Sequence, residues 1–445
     1  METVHRILSI LPAPDNQSRA TRPAQRRGLW VEGLSRNESI YSNLSAQAYY
    51  LDSSLWATQR IPDGSAPIPV PDEISAALGG LNGIQSIIAA YFQTVHFYLP
   101  FTVEGSTKVD IALLLLCMKL VQEIPKTDDP QSLELYHLAK GFSTKAEAQG
   151  VSTLHMLQAN ILLLLYEVGQ GIFPAAFMTV GHCARQGTAL GLFSRHAPQL
   201  ASKPQSWVDF EERHRVRLSR YVALGGCHRP FCTADPASDT TRLPVEDGAW
   251  NNGQIVPPEP ISLESYTNPA GISPFARVAQ ASHLLGQVLK HCAKTPIPTA
   301  QSTLEDKFNQ LTQQIYAFID VLHNHDPFAR LDVTVARTIC FSALFTLCNH
   351  TTLQLLYRCL EIVDDIRALV STLVNEIRGL ITEESMKIVS PLILNCLYVC
   401  ARNAGWMVRE TSGSKLGGVK GECVELLRLI GSRWRVAGEL IFPIS

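Results

Sequence analysis

Thr153-Leu-His-Met-Leu-Gln-Ala-Asn-Ile-Leu-Leu-Leu-Leu-Tyr-Glu-Val-Gly-Gln-Gly171 is the stretch on which the fold class turns. It reads as one buried helix from Thr153 to Gly169, because its longest apolar run, Ile161 to Tyr166, is far shorter than the roughly 20 residues that span a bilayer. Gly169 and Gly171 supply a break, and Pro174 then restarts a helix at the first-turn position that proline favours, carrying it through Ala175 to Gly191.

The same period continues on both sides. Upstream, Ile84, Ile87, Ile88, Tyr91, Val95 and Tyr98 recur at three- and four-residue steps, which predicts a helix over 84–99 closed by Pro100. Further helices are expected over 109–124, ended by Pro125, and over 133–149. Downstream, Pro274 opens a helix with Phe275, Val278, Ser282, Leu285, Leu289 and Cys292 on one face. Ser302-Thr-Leu-Glu305 reads as a capping box ahead of a stripe of Leu304, Phe308, Leu311, Ile315, Ile319 and Leu322. More helices are expected at about 330–360, 364–381, 384–403 and 419–435, and no run alternates as a strand would. The expected class is all-α: an irregular multi-helix regulatory domain behind a poorly ordered N-terminal leader.

Four stretches organise the chain. Residues 1–75 are rich in Pro, Ser, Asn, Gln and Arg and read as a loosely ordered leader with at most a short helix near Ser45 to Trp56. Residues 76–235 carry the strongest helices. Residues 236–273, with Pro236, Pro244, Pro257, Pro258, Pro260 and Pro269, read as an irregular connection, and 274–445 as a C-terminal helical part of the same region.

Composition fits a large buried core: 46% of the 445 residues are hydrophobic and only 18% charged, against the roughly 25% usual in soluble proteins. A net charge of -2 gives no basic field to hold nucleic acid non-specifically. Pro12 and Pro14 interrupt the apolar start, so residence inside the cell, without a membrane, is expected. The eleven cysteines fall mostly within apolar runs and read as reduced core residues.

Chemistry is sparse. A zinc cluster that reads DNA packs six cysteines into about 30 residues, yet the first cysteine here is Cys117. Cys227-His228-Arg-Pro-Phe-Cys232, with His214 and His182 upstream, supplies one short ligand pair where a structural site draws on two, so these read as a loop cysteine and a packed one. Cys396 and Cys400, four apart, read as one core-facing stripe. Asp128-Asp129 and Asp364-Asp365 lack the further carboxylate at helical spacing that a magnesium cluster needs, and read as helix-start acids. Gly225-Gly226 follows a helical pattern and is no phosphate loop, and no Gly-X-Ser-X-Gly elbow is present. Glu211-Glu-Arg-His-Arg-Val-Arg217, dense in both signs, reads as a solvated helix face with i to i+4 pairs. Arg19, Arg22, Arg26 and Arg27 are commonplace for a leader. No catalytic, cofactor-binding or metal-ligating residue is assigned.

The order of landmarks says more than any single residue. Tyr91-Phe-Gln-Thr-Val-His-Phe-Tyr-Leu-Pro-Phe101, Leu154 to Gly171, Pro174 to Leu192, Glu211-Glu-Arg-His-Arg-Val216 and Arg220-Tyr-Val-Ala-Leu-Gly through Arg229-Pro-Phe follow one another. Thr233-Ala-Asp-Pro236 and Leu243-Pro-Val-Glu-Asp247 complete the series. In this order the segments resemble the fungal-specific transcription factor domain, the middle homology region of zinc-cluster regulators. The clear likeness covers about residues 80–250. One departure stands out: the family's tryptophan pair and the apolar stretch after it are missing, and Val216-Arg-Leu-Ser-Arg220 bridges directly.

The resemblance implies a nuclear regulator of a metabolic or biosynthetic gene set, not an enzyme, that lacks its own DNA-reading cluster. It would meet DNA indirectly or through a partner transcription factor, as a homo- or heterodimer, with a small-molecule effector as a further candidate partner. No cofactor is implied in these residues, and zinc only where an N-terminal cluster has been lost in gene prediction. That full DNA-binding factor is one alternative, and an all-α enzyme or small-molecule binder on the same scaffold is the other.

Overall fold

The computed structural model describes residues 69–101, 108–125, 133–192, 206–225, 242–261, 263–267, 272–293, 301–324, 330–349, 385–411 and 414–444, with isolated positions besides. The leader segment near Ser45, the four leader arginines, Asp128-Asp129, Cys227 to Cys232 and Asp364-Asp365 lie outside the described residues.

The fold is all-α. In chain order the helices are α1 (Asp72–Leu78), α2 (Gly80–Thr94), α3 (Lys108–Leu120), α4 (Glu134–Ala148), α5 (Leu154–Gly169), α6 (Phe173–Ala189), α7 (Trp207–Gly225), α8 (Asp247–Asn251), α9 (Leu263–Thr267), α10 (Pro274–Cys292), α11 (Gln301–Asn324), α12 (Arg330–Asn349), α13 (Leu394–Thr411), α14 (Ser414–Ile430) and α15 (Arg435–Glu439). Two short 3-10 turns, Ser385–Ile388 and Pro391–Ile393, precede α13. Among the described residues no strand forms, and an isolated bridge joins Arg242 to Pro260.

The opening stretch becomes the hub. Thr153 caps α5, its hydroxyl accepting from the Met156 N–H at 3.2 Å. Every residue of α5 except Leu154 and Val168 is buried, as a helix apolar on all sides requires. It packs against α3, α4, α6, α7 and the short α15. A second layer pairs α10 with α12 and α13 with α14, and one continuous apolar core runs from Ile74 to Ile444. No single helix among the described residues is long and apolar enough to cross a membrane.

Several boundaries differ from expectation. The helix predicted to reach Leu99 ends at Thr94, because the Tyr91 carbonyl accepts from both Val95 and His96 and the Tyr91 hydroxyl donates to the Leu99 carbonyl at 2.5 Å. That tyrosine folds the chain back before Pro100 is reached. The single helix expected over 384–403 is broken at Pro391, where Ser390 caps a new turn. The helix expected over 419–435 spans Ser414–Ile430 and gives way to a tight corner at 431–434. Gln301 opens α11 one residue ahead of the predicted cap. The 236–273 connection holds the short helices α8 and α9.

Candidate functional site

The polar side chains of this apolar body gather at a few joints between helices. The first is built on the charged run of α7, and here the expected solvated face is overturned. Glu211 is 1% exposed and Arg215 0% exposed, with Glu212 also buried. The i to i+4 pairing expected of the run does form, Arg215 Nε donating to Glu211 Oε1 at 3.1 Å. It forms inside the protein because the 245–250 segment folds over it.

That segment supplies the remaining partners. Arg215 Nη1 donates to Asp247 Oδ1 at 2.6 Å and Nη2 to the Val245 carbonyl at 2.7 Å, while the Val245 N–H donates to Glu211 Oε1 at 2.9 Å. The guanidinium lies 3.9 Å from the centroid of the Trp250 ring. Glu246 caps α8 through the Ala249 N–H, which fixes where Asp247 and Trp250 stand. Gln158 of α5 donates to Glu212 at 2.9 Å, tying the hub to the same joint. Burial raises the pKa of Glu211, against the opposing pull of Arg215 and the Val245 N–H. Burial also lowers His96 to about 3, and the nearby Arg215 charge adds to the effect. The imidazole is therefore neutral, with its ring centroid 4.3 Å from that of Phe92.

A second joint links α4, α5 and α6. Tyr136 and Lys140 both donate to Glu167 Oε1, at 3.0 and 2.8 Å, and Lys140 reaches Thr179 at 2.6 Å. One turn along, Ser143 donates to Asn160 and Asn160 to Gln186. Asp110 and His155 meet at 3.6 Å between α3 and α5.

The third joint was not foreseen. Arg433 is fully buried, its Nη1 donating to the Met386 carbonyl and its Nη2 to the Val121 carbonyl at 3.0 Å. The guanidinium lies 4.6 Å from the Trp434 ring, and burial pulls its pKa down to about 10. Trp434 donates through Nε1 to the Val389 carbonyl at 2.8 Å, and Gln170 donates to the Arg433 carbonyl at 2.9 Å. Gly169, read from sequence as a break, is where the Trp434 ring lands: a Cβ there would sit 2.3 Å from ring carbon. The signal in the sequence was the Arg-Trp pair itself, two costly residues side by side, but nothing local names its partners.

Of the metal candidates, His214 and His182 lie among the described residues. His214 bonds the Arg242 carbonyl at 2.8 Å, while His182 stands on α6 at 3.4 Å from Glu147. Among the described residues no group of three His, Cys, Asp or Glu side chains is placed to hold a metal ion. Cys396 and Cys400 are buried and in no disulfide, as are Cys117, Cys183, Cys340 and Cys423. Burial raises the thiol pKa of Cys117, Cys340 and Cys396, which suits packing and opposes nucleophilic use. These carboxylates, imidazoles and cations hold helices in register.

No family model matches the chain. Over 180 residues it is 41% identical to "Transcription factor BOA15" of Botryotinia fuckeliana (strain B05.10), an alignment that covers 99% of that protein and 38% of this chain. The chain belongs to the family of transcription factor BOA15. In this BOA15-related body the recognised landmarks fall on joints: Tyr91 folds the first turn, Glu211 and Arg215 hold the 245–250 segment, and Gly169 seats Trp434. Kinship to a fungal transcription factor describes the chain as a relative of transcription regulators.

Proposed function

We propose that this chain is a nuclear regulator of transcription of the fungal zinc-cluster type, acting on a metabolic or biosynthetic gene set through its helical body. The observation that carries this reading is the 41% identity to a protein named as a transcription factor, maintained over 99% of that protein's length. Further support comes from the ordered landmarks and from the structural use of the buried charges, which speaks against a catalytic role for them. Within these 445 residues no six-cysteine spacing occurs, and promoter contact runs through a partner factor, with no cofactor required of these residues.

Residues 1–445 fused to a heterologous DNA-binding domain are expected to change the output of a reporter several-fold in a fungal host. The change should be lost when Arg433→Met disrupts the body. A fusion that accumulates in the nucleus and leaves the reporter at the level of the DNA-binding domain alone overturns the regulatory reading. The unfused chain is expected to show no site-specific shift of promoter DNA, and tight, salt-resistant shifting would overturn the indirect route.

A further inference from the structure

Gln254-Ile-Val-Pro-Pro-Glu-Pro260 runs between α8 and α9, and its composition leaves the backbone few choices. The rings of Pro257, Pro258 and Pro260 fix φ at about -65°, and each proline bars the residue before it (Val256, Pro257 and Glu259) from the helical region. Residues 256–260 are thereby held extended, close to the left-handed form with about three residues per turn. Accordingly, neither helix nor turn forms over 254–259.

A chain of that form has three edges. Gln254, Pro257 and Pro260 share one, Val256 and Glu259 the second, and all five are exposed. The third edge turns inward along its length: Ile255 is 79% exposed, Pro258 is half-buried and Ile261 is buried. Two ridges therefore face water, carrying the dipeptides Val256-Pro257 and Glu259-Pro260 at a three-residue step. Both ends are tied down. The Gln254 N–H donates to the Ala249 carbonyl at 2.8 Å, next to the Trp250 ring that stacks on Arg215. At the other end the Leu243 N–H donates to the Glu259 carbonyl at 2.6 Å and Arg242 Nη1 to the Pro258 carbonyl at 2.9 Å.

The chemistry of the ridges says what fits them. Proline has no N–H, so positions 257, 258 and 260 have no donors to offer the edge of a sheet. Pyrrolidine rings at this step pack into aromatic-lined grooves, and a ligand already extended and tied at both ends loses little entropy on docking. Residues 243–260 contain no Lys or Arg, so recognition rests on ring packing and not on an ion pair from a basic flank. We infer that the 254–260 segment is a docking ligand, presented in its bound form to the aromatic-lined groove of a proline-reading domain on another protein. This is separate from the transcriptional reading, since it rests on the backbone constraint and exposure of one connection.

The full chain titrated into a panel of purified, isotope-labelled WW and SH3 domains should shift the groove aromatic resonances of at least one domain, saturably and one to one. Pro257→Ala with Pro260→Ala is expected to weaken that binding roughly tenfold, with the melting temperature of the chain unchanged because both rings are exposed. Ile255→Ala, on the third edge, should leave it unaltered. A free peptide of residues 252–262 should bind several-fold more weakly than the full chain, and Arg242→Ala, which releases one tie, should fall between the two. A panel in which no domain responds overturns the inference, as does binding indifferent to the two alanines. Should the double variant fail to fold, Val256→Arg on the outward ridge decides: loss of binding supports the docking, and undiminished binding removes it.

Discussion

Among the described residues, two buried arginines stack on tryptophan rings, and they are neutralised in different ways. Arg215 meets carboxylates, Glu211 one turn back on its own helix and Asp247 across a connection, and shares the joint with the Val245 main chain. Arg433 meets main-chain carbonyls of Met386 and Val121, which lie 47 and 312 residues before it in the sequence. A guanidinium with carboxylate partners is compensated charge for charge, whereas one held by carbonyls keeps its charge and is compensated only by dipoles. Burial accordingly depresses the Arg433 pKa to about 10. The first joint fixes a local segment on α7. The second closes the whole body, tying the end of the chain to its first helices.

The largest losses are expected on removing each guanidinium, and a second substitution tests whether the loss can be repaired. Arg215→Met and Arg433→Met should each cost about 3 to 5 kcal/mol, by stranding a buried carboxylate in one case and two buried carbonyls in the other. Glu211→Gln added to Arg215→Met should recover much of the loss, because removing both charges avoids the uncompensated ion. No side-chain substitution can withdraw the carbonyls facing Arg433. Denaturant unfolding of the four proteins, the wild type included, checks this, and no recovery at Arg215 would sink the distinction.

Gly169→Ala tests how closely the closing joint is packed. Its methyl group would collide with the Trp434 ring, for an expected loss of about 1 to 3 kcal/mol. Trp434→Phe, which shortens that ring, should make the alanine less costly than it is in the wild type, a coupling that a double-mutant cycle reads directly. Additive losses would mean that the ring is not the obstacle.

His96 makes the stability of the folded chain depend on pH. Its folded pKa of about 3 lies below the unfolded value of about 6.5, so below 6.5 the unfolded chain takes up a proton that the folded chain refuses. The stability this group contributes is whole above about 6.5 and lost as pH falls towards 3, amounting to about 2 kcal/mol by pH 5. His96→Phe should flatten the melting temperature between pH 7 and pH 5 relative to the wild type; an unchanged slope would assign the acid sensitivity elsewhere. The smallest effect is expected at the rim of α7, where Arg213 pairs with Asp209 at 2.7 Å on a partly exposed turn. Arg213→Ala should cost less than about 1 kcal/mol, two residues from a position worth several times more.

Much of the helical plan was legible because its signals are local. Thr153, Pro174 and Pro274 mark helix starts by hydrogen-bonding chemistry and ring geometry, and the apolar period identifies the buried faces of α2, α10 and α11. The charged run at 211–217 was misread because i to i+4 pairing looks the same on a wet face and a dry one. Only the 245–250 segment, some thirty residues on, makes it dry. The ring of Tyr91 ended α2 early for a similar reason, its hydroxyl acting on a carbonyl eight residues away.

By itself, then, the sequence determined the all-α class, the position of most helix starts and the burial of the cysteine stripe. Tertiary structure decided which charges lie inside, what the glycine at 169 is for and where the chain end is anchored. These outcomes turn on contacts such as Gln170 to Arg433 and Val121 to Arg433, separated by 263 and 312 residues. Periodicity reports the face a helix buries, but the group that meets it is chosen by packing between segments whose separation no local pattern records.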